Sequence, residues 1–206
     1  SQTKTNICCH VDHGYTLDEC YEGIDSGFTS VMFDGSKLTL KENIKISKKI
    51  ASRAHKYNIS IEGEIGFVGY DNGKISEGTN IEDAVTFANK SNIDAMAISV
   101  GNTHLQTSKK ASIDFNKINL IEAKTKIPLV LHGSSGIPVE QRKKLARKTK
   151  VAKLNIGTEI RMTFGEALRK NLKNNPKTYD RLQLLQPTIK DLTKVTKKII
   201  KQIGPN

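Results

Sequence analysis

Two hydrophobic rhythms alternate along the chain. Short runs rich in β-branched and apolar residues occur at Asn6–Val11, Ser30–Phe33, Ser60–Ile65, Ala95–Val100, Leu129–Leu131 and Val151–Asn155. They are too short for helices and have the length of buried strands. Between them the apolar positions recur every three to four residues. That spacing predicts helices over Leu17–Ser26, Lys41–Tyr57, Ile81–Asn89, Asn116–Thr125, Pro138–Lys148 and Thr158–Leu172. A last amphipathic helix is predicted over Ile189–Ile203, with Ile189, Leu192, Val195, Ile199 and Ile203 on one stripe.

Boundary residues agree with this parsing. Thr79 or Asn80 can cap the third helix, with Glu82 and Asp83 in its first turn. Pro138 suits the start of the fifth, where a missing N–H costs nothing. No linker or low-complexity tract interrupts the pattern, so residues 1–206 read as one domain.

Strand–helix alternation implies a parallel sheet in an α/β fold. The sheet is either open and doubly wound or rolled into a TIM (β/α)8 barrel. A barrel needs eight units and typically about 250 residues. This chain supplies six units plus a C-terminal helix. As a barrel it would lack its first two units, and the strand-like run close after Ser1 makes an N-terminal loss the natural version. A six-unit barrel alone would expose raw sheet edges and apolar interior, so the piece is expected either to be poorly stable by itself or to have its missing units supplied elsewhere.

Composition narrows the class. Hydrophobic residues make up 36% and mean hydropathy is −0.44, which predicts a soluble chain without a membrane partner. No signal peptide is visible, and a cytoplasmic location is expected. Net charge is +12, but the excess is Lys spread over helix faces, such as Lys45, Lys48, Lys49, Lys197 and Lys198. Aromatics are only 5% and do not interleave with the basic runs. A nucleic-acid partner is therefore not expected. Cys8, Cys9 and Cys20 make no disulfide framework and read as buried free thiols.

Chemistry concentrates at strand ends. Of five histidines, His10 and His13 follow the first strand, His104 the fourth and His132 the fifth, while His55 sits mid-helix and reads as surface. In a barrel every strand C-terminus opens on one mouth. His13, His104 and His132 can then converge on one ion, in the three-ligand pattern of a catalytic zinc site. In an open sheet they would converge less easily, so the histidines favour the barrel. Asp12, next to His13, is an orienting carboxylate or a proton donor near the metal. Asp34 closes the second strand. Glu62 and Glu64, two apart in the third, share one face. Inward acids are costly without a cation or donors. They read as a salt-bridged interior, a second cation site or support for the histidines. His132-Gly133-Ser134-Ser135-Gly136 and Asn155-Ile156-Gly157-Thr158, each before a helix, look like phosphate cradles.

Taken in order, several segments together resemble the class II, metal-dependent ketose-bisphosphate aldolases, the fructose- and tagatose-bisphosphate enzymes. They are His10-Val11-Asp12-His13, the run Gly27–Ser36 with Glu42-Asn43, Glu62-Gly63-Glu64-Ile65-Gly66, Gly101-Asn102-Thr103-His104, Pro128–Gly136 and Lys153–Glu159. The resemblance covers nearly the whole chain. It implies zinc on His13, His104 and His132, and Asp12 as the catalytic acid/base. It also implies a second divalent or monovalent cation at Asp34 and Glu64. Triose-phosphate contacts would fall on Leu105, on Gly133, Ser134 and Ser135, and on Asn155, Ile156, Gly157 and Thr158. The implied reaction is reversible cleavage of a ketose 1,6-bisphosphate, as in glycolysis, to dihydroxyacetone phosphate and glyceraldehyde 3-phosphate, in a homodimer or homotetramer. Alternatives are an aldolase for another phosphorylated or sulfonated sugar, or a non-catalytic barrel subunit. Lys153 is the one strand lysine placed for a Schiff base, a route the metal set disfavours.

Three departures stand out. Leu105 replaces the family's usual Gly. The loop Gly69-Tyr70-Asp71-Asn72-Gly73 is short and lacks a Glu, leaving Asp71 as the candidate for proton exchange on the triose. The first two βα units have no counterpart in this chain.

Overall fold

A computed structural model describes residues 5–70, 73, 76 and 78–204. Six strands form one parallel sheet in sequence order: β1 (His10–Gly14), β2 (Ser30–Phe33), β3 (Ser60–Ile65), β4 (Ala95–Ile98), β5 (Leu129–Leu131) and β6 (Val151–Leu154). Helices α1 (Leu17–Asp25), α2 (Leu40–Lys56), α3 (Ile81–Lys90), α4 (Phe115–Lys124) and α5 (Val139–Lys148) connect them. Three more follow: α6 (Thr158–Asn174), the short α7 (Arg181–Leu185) and α8 (Thr188–Ile203). Strands adjacent in sequence and in space, joined through helices, are the repeating unit of a (β/α) barrel. Among the described residues no helix is long and apolar enough to cross a membrane.

The sheet curls. Five spacings of about 4.8 Å would hold β1 and β6 about 24 Å apart in a flat sheet. Instead Lys153 Nζ of β6 lies 3.1 Å from His10 Nε2 of β1. The convex face carries the main core. Val31, Phe33, Ile61, Met96, Ile98, Leu129 and Leu131 alternate along the strands and pack with Ile50, Ala54, Phe87, Ile118, Ile121 and Leu145 of the helices. Gly63 is the residue that lets Phe87 approach, since a Cβ there would lie 2.8 Å from its ring. The other face holds Ser30, Met32, Glu62, Glu64, Ala97, Val130 and Lys153, as the two-residue period requires.

Local signals set the helix starts. Thr16 and Thr39 form complete capping boxes with Glu19 and Glu42. Asn80 caps α3, while Thr79 is buried and ties Ile65 to Ser99 through its hydroxyl. Three expectations need correction. β1 begins at His10, four residues later than predicted, because the apolar run Ile7-Cys8-Cys9 precedes the paired segment and is exposed. Cys8 and Cys9 are therefore exposed thiols, and only Cys20 is buried. α7 was not predicted; at five residues it is too short to show a period.

Candidate active site

β1 ends in a local irregularity, its pairing with β2 shifting register between Val11 and Gly14. His13 takes a left-handed φ of 63° there, uncommon for a residue other than glycine. The turn brings consecutive residues to the strand mouth together: Asp12 and His13 both line one cavity of about 140 Å³. His104 follows β4, and His132 follows β5 directly.

The three histidines converge. The rings of His13, His104 and His132 lie 4.7 to 5.8 Å apart, centroid to centroid. Among the described residues, two groups present ligand atoms all within 4.8 Å of one another: His13, His104 and His132, and His13, Asp34 and Glu64. His10 stands apart, because it opens β1 rather than following it. Its ring meets Ser30 Oγ at 2.8 Å and Lys153 on the sheet's inner face. His55 pairs at the surface with Asp94.

Carboxylates fix the rings. Asp34 Oδ2 lies 2.9 Å from His13 Nδ1, while Asp34 Oδ1 accepts from the Ser36 amide and hydroxyl. Burial works against charge on Asp34, but His13 and Ser36 outweigh it and hold its carboxyl below the usual range. Glu62 Oε1 lies 2.8 Å from His132 Nε2, and Lys153 Nζ donates to Glu62 Oε2 at 2.6 Å. Burial alone would raise Glu62; the His132 and Lys153 contacts win and carry it down to about 2. Both acids are thus ionised acceptors, so His13 Nδ1 and His132 Nε2 are the donating nitrogens. The remaining pair, His13 Nε2 and His132 Nδ1, face each other at 3.0 Å. Burial and the neighbouring His132 and His13 lower His104 to about 4, which keeps it uncharged.

Glu64 completes the picture. It is buried, its Oε2 has no hydrogen-bond partner, and it lies 3.9 Å from His13 Nδ1. Burial, then Asp34 and Glu62, push its carboxyl well above the ordinary range. Converging imidazole nitrogens beside a buried carboxyl oxygen with no partner fit a divalent cation.

Two loops close the mouth. Gly133 takes a φ of 62°, and a Cβ there would lie 2.2 Å from Thr103 O, so only glycine fits. Gly133, Ser135, Asn155, Gly157 and Thr158 line the cavity with the histidines, Asp12 and Leu105. Ser134 and Ile156 do not: Ser134 is buried, and its hydroxyl is spent on Leu131 O at 2.8 Å. Asn155 Nδ2 donates to Asp12 Oδ1 at 3.1 Å, fastening the acid to the sixth strand's loop. Asp71 lies outside the described residues.

A family model described as fructose-bisphosphate aldolase class-II matches residues 1–206. The chain belongs to the class II fructose-bisphosphate aldolase family. The 6-phospho-5-dehydro-2-deoxy-D-gluconate aldolase of Shouchella clausii is 37% identical over 201 residues, covering 96% of this chain and 68% of that protein. The fructose-bisphosphate aldolase of Staphylococcus aureus strain Mu50 is 33% identical over 202 residues, covering 96% and 70%. Among solved structures, the YdjI aldolase from Escherichia coli K12 aligns with a TM-score of 0.75 at 26% identity, over 95% of this chain and 67% of that one. A fructose-bisphosphate aldolase from Campylobacter jejuni shares the fold, with a TM-score of 0.74 at 21% identity over 95% and 68%. As a member of an aldolase family, this protein is a lyase.

Two residues of this class II aldolase mouth and one buried behind it escape sequence reasoning. Tyr70 stacks on His104 at 5.0 Å and lines the cavity. Arg161 also lines it, and its guanidinium donates to Thr158 Oγ1 at 3.3 Å. The spacing Thr158 to Arg161, one helical turn behind a glycine loop, is the signal that could have found it. Arg142 is fully buried in a helix that reads as solvated.

Proposed function

We propose that the site is a zinc-dependent aldol centre that cleaves, reversibly, a phosphorylated keto-sugar into dihydroxyacetone phosphate and an aldehyde. The observation that carries this reading is the meeting of His13, His104 and His132 within reach of one another, with His13 also in reach of Asp34 and of Glu64, whose buried Oε2 lacks a partner. His13, His104 and His132 would hold the catalytic zinc, and Asp34 and Glu64 a second cation. A metal bound there supplies Lewis-acid stabilisation of the negative charge that develops when a carbon–carbon bond next to a carbonyl breaks.

The chain's own groups do the rest. Asp12 is exposed at the mouth and held by Asn155. Its carboxylate takes the hydroxyl proton of the carbon that becomes the aldehyde, and returns it in condensation. Asp34 and Glu62 keep two imidazoles in the tautomers that present a lone pair. Gly133, Ser135 and the loop Asn155–Thr158 offer backbone N–H groups and hydroxyls to a phosphate. The start of α6 and the Arg161 charge favour its dianion.

The names of the relatives sharpen the substrate. Fructose bisphosphate and 6-phospho-5-dehydro-2-deoxy-D-gluconate differ in the aldehyde they would release. They share a phosphorylated three-carbon ketone half. The loops described here serve that half, so it is the assigned part. A ketose 1,6-bisphosphate (fructose or tagatose) and the deoxygluconate phosphate are the two candidate wholes.

The test is release of dihydroxyacetone phosphate from each candidate, with and without chelator. Release from one of them, abolished by chelation and restored by zinc, is expected. Cleavage that survives complete metal removal would end the metal reading.

A further inference from the structure

We propose that Lys153 is a positioning residue, which sets the metal-facing nitrogen of His132 by clamping Glu62. This rests on the metal-centre reading above and adds to it the group that holds its support in place.

The chain of contacts is continuous. Lys153 Nζ donates to Glu62 Oε2 at 2.6 Å, and the other oxygen of the same carboxylate meets His132 Nε2 at 2.8 Å. His132 Nδ1 is then the nitrogen left facing His13 Nε2 at 3.0 Å. A carboxylate has two oxygens and free rotation about its last bond. With one oxygen pinned by an ammonium, the other has one place to go. Glu62 and His132 are both buried.

Lys153 is itself anchored. His10 Nε2 accepts from it at 3.1 Å, which places the proton of that ring on Nδ1, against Ser30 Oγ at 2.8 Å. The contact spans β6 and β1, the two strands that each pair on one side of the sheet. Lys153 therefore ties the curl of the sheet to the tautomer of a ligand. The same ammonium, engaged by Glu62, is not free to attack a carbonyl, which accounts for it without Schiff-base chemistry. Among the described residues Lys153 is the one lysine or arginine that pairs with Glu62, while His10 and His132 also reach it.

Orienting partners of metal-bound histidines are typically worth 10- to 100-fold in metal affinity. The experiment is titration of the full chain with Co2+, following the visible ligand-field spectrum and competition with a chelator. Wild type is compared with Lys153→Met and Lys153→Arg. Lys153→Met is expected to weaken Co2+ affinity by about tenfold and to alter the spectrum. Lys153→Arg, which keeps a cation beside Glu62, restores both. Unchanged affinity and spectrum in Lys153→Met, with wild type binding normally, overturns the clamp and leaves the metal site standing. Failure of wild type to bind overturns both. Thermal melting monitors the fold. If Lys153→Met unfolds, Lys153→Gln carries the same comparison, and unfolding of both assigns Lys153 to the fold and overturns the proposal.

Discussion

Arg142 reaches from the middle of the fifth helix to Glu159 at the start of the sixth, a contact of 2.7 Å. On the way its Nε donates to Ser134 O at 3.0 Å and its Nη2 to Ser135 O at 2.8 Å. One buried guanidinium thus holds the carbonyls of one glycine loop and the first turn after the other. Replacing it with Ala leaves two carbonyls and a carboxylate without this partner. The expected cost is about 3 kcal/mol, read as a lower midpoint in urea. Loss below about 0.5 kcal/mol would contradict the bracing role.

Glu159 gives that brace a pH signature. Burial opposes its charge, yet Arg142 and Lys109 lower its carboxyl below the ordinary value of 4.5. A group depressed on folding contributes stability that is complete above its unfolded value. That contribution disappears as pH falls through the folded value. Unfolding free energy is expected to drop more steeply below pH 4.5 in wild type than in Glu159→Gln. Parallel curves would show that the pair does not titrate with folding.

Asp12→Asn keeps the contact to Asn155 within reach but removes the base. Turnover is expected to fall about 10²- to 10⁴-fold, with metal content unchanged by elemental analysis. Equal loss of metal and turnover would demote Asp12 to a structural role.

Leu105 occupies a left-handed φ of 58° on the rim of the cavity. An L side chain in that conformation costs roughly 1–2 kcal/mol, part of which glycine gives back as chain entropy. Leu105→Gly is therefore expected to raise stability by up to about 1 kcal/mol. A lower melting temperature would mean that the exposed Leu side chain contributes packing that outweighs the strain.

The cysteines offer a simple count. Cys8 and Cys9 are exposed, whereas burial pushes the Cys20 thiol up to about 12 and its Sγ donates to Met32 O. Alkylation of the native chain at pH 8 is expected to label two thiols, with the third reacting only on unfolding. Mass spectrometry of the labelled peptides decides it.

Strands β2 and β5 were legible to the residue because both their faces are buried, which forces continuous apolar or small residues between polar breaks; β3 was legible from the two-residue alternation of Ile61, Gly63 and Ile65 with the inward Glu62 and Glu64. β1 was not, because an exposed apolar run upstream carries the same signal as a strand. The histidines were legible because ligands from different units must stand at strand ends. Their tautomers were not, since these depend on Asp34 and Glu62, whose sequence spacing says nothing of which nitrogen they meet. Arg142 lay hidden in Val139-Glu140-Gln141-Arg142-Lys143-Lys144, where one basic residue turns inward among others that face water. Composition does not record that direction.

Asp34 and Glu62 grip their imidazoles from the end of β2 and the middle of β3, neighbouring strands held in parallel register. A slip of one strand along the other would shift the orienting carboxylates of two rings relative to each other, so the precision of the proposed ligand set is inherited from the pairing of the sheet.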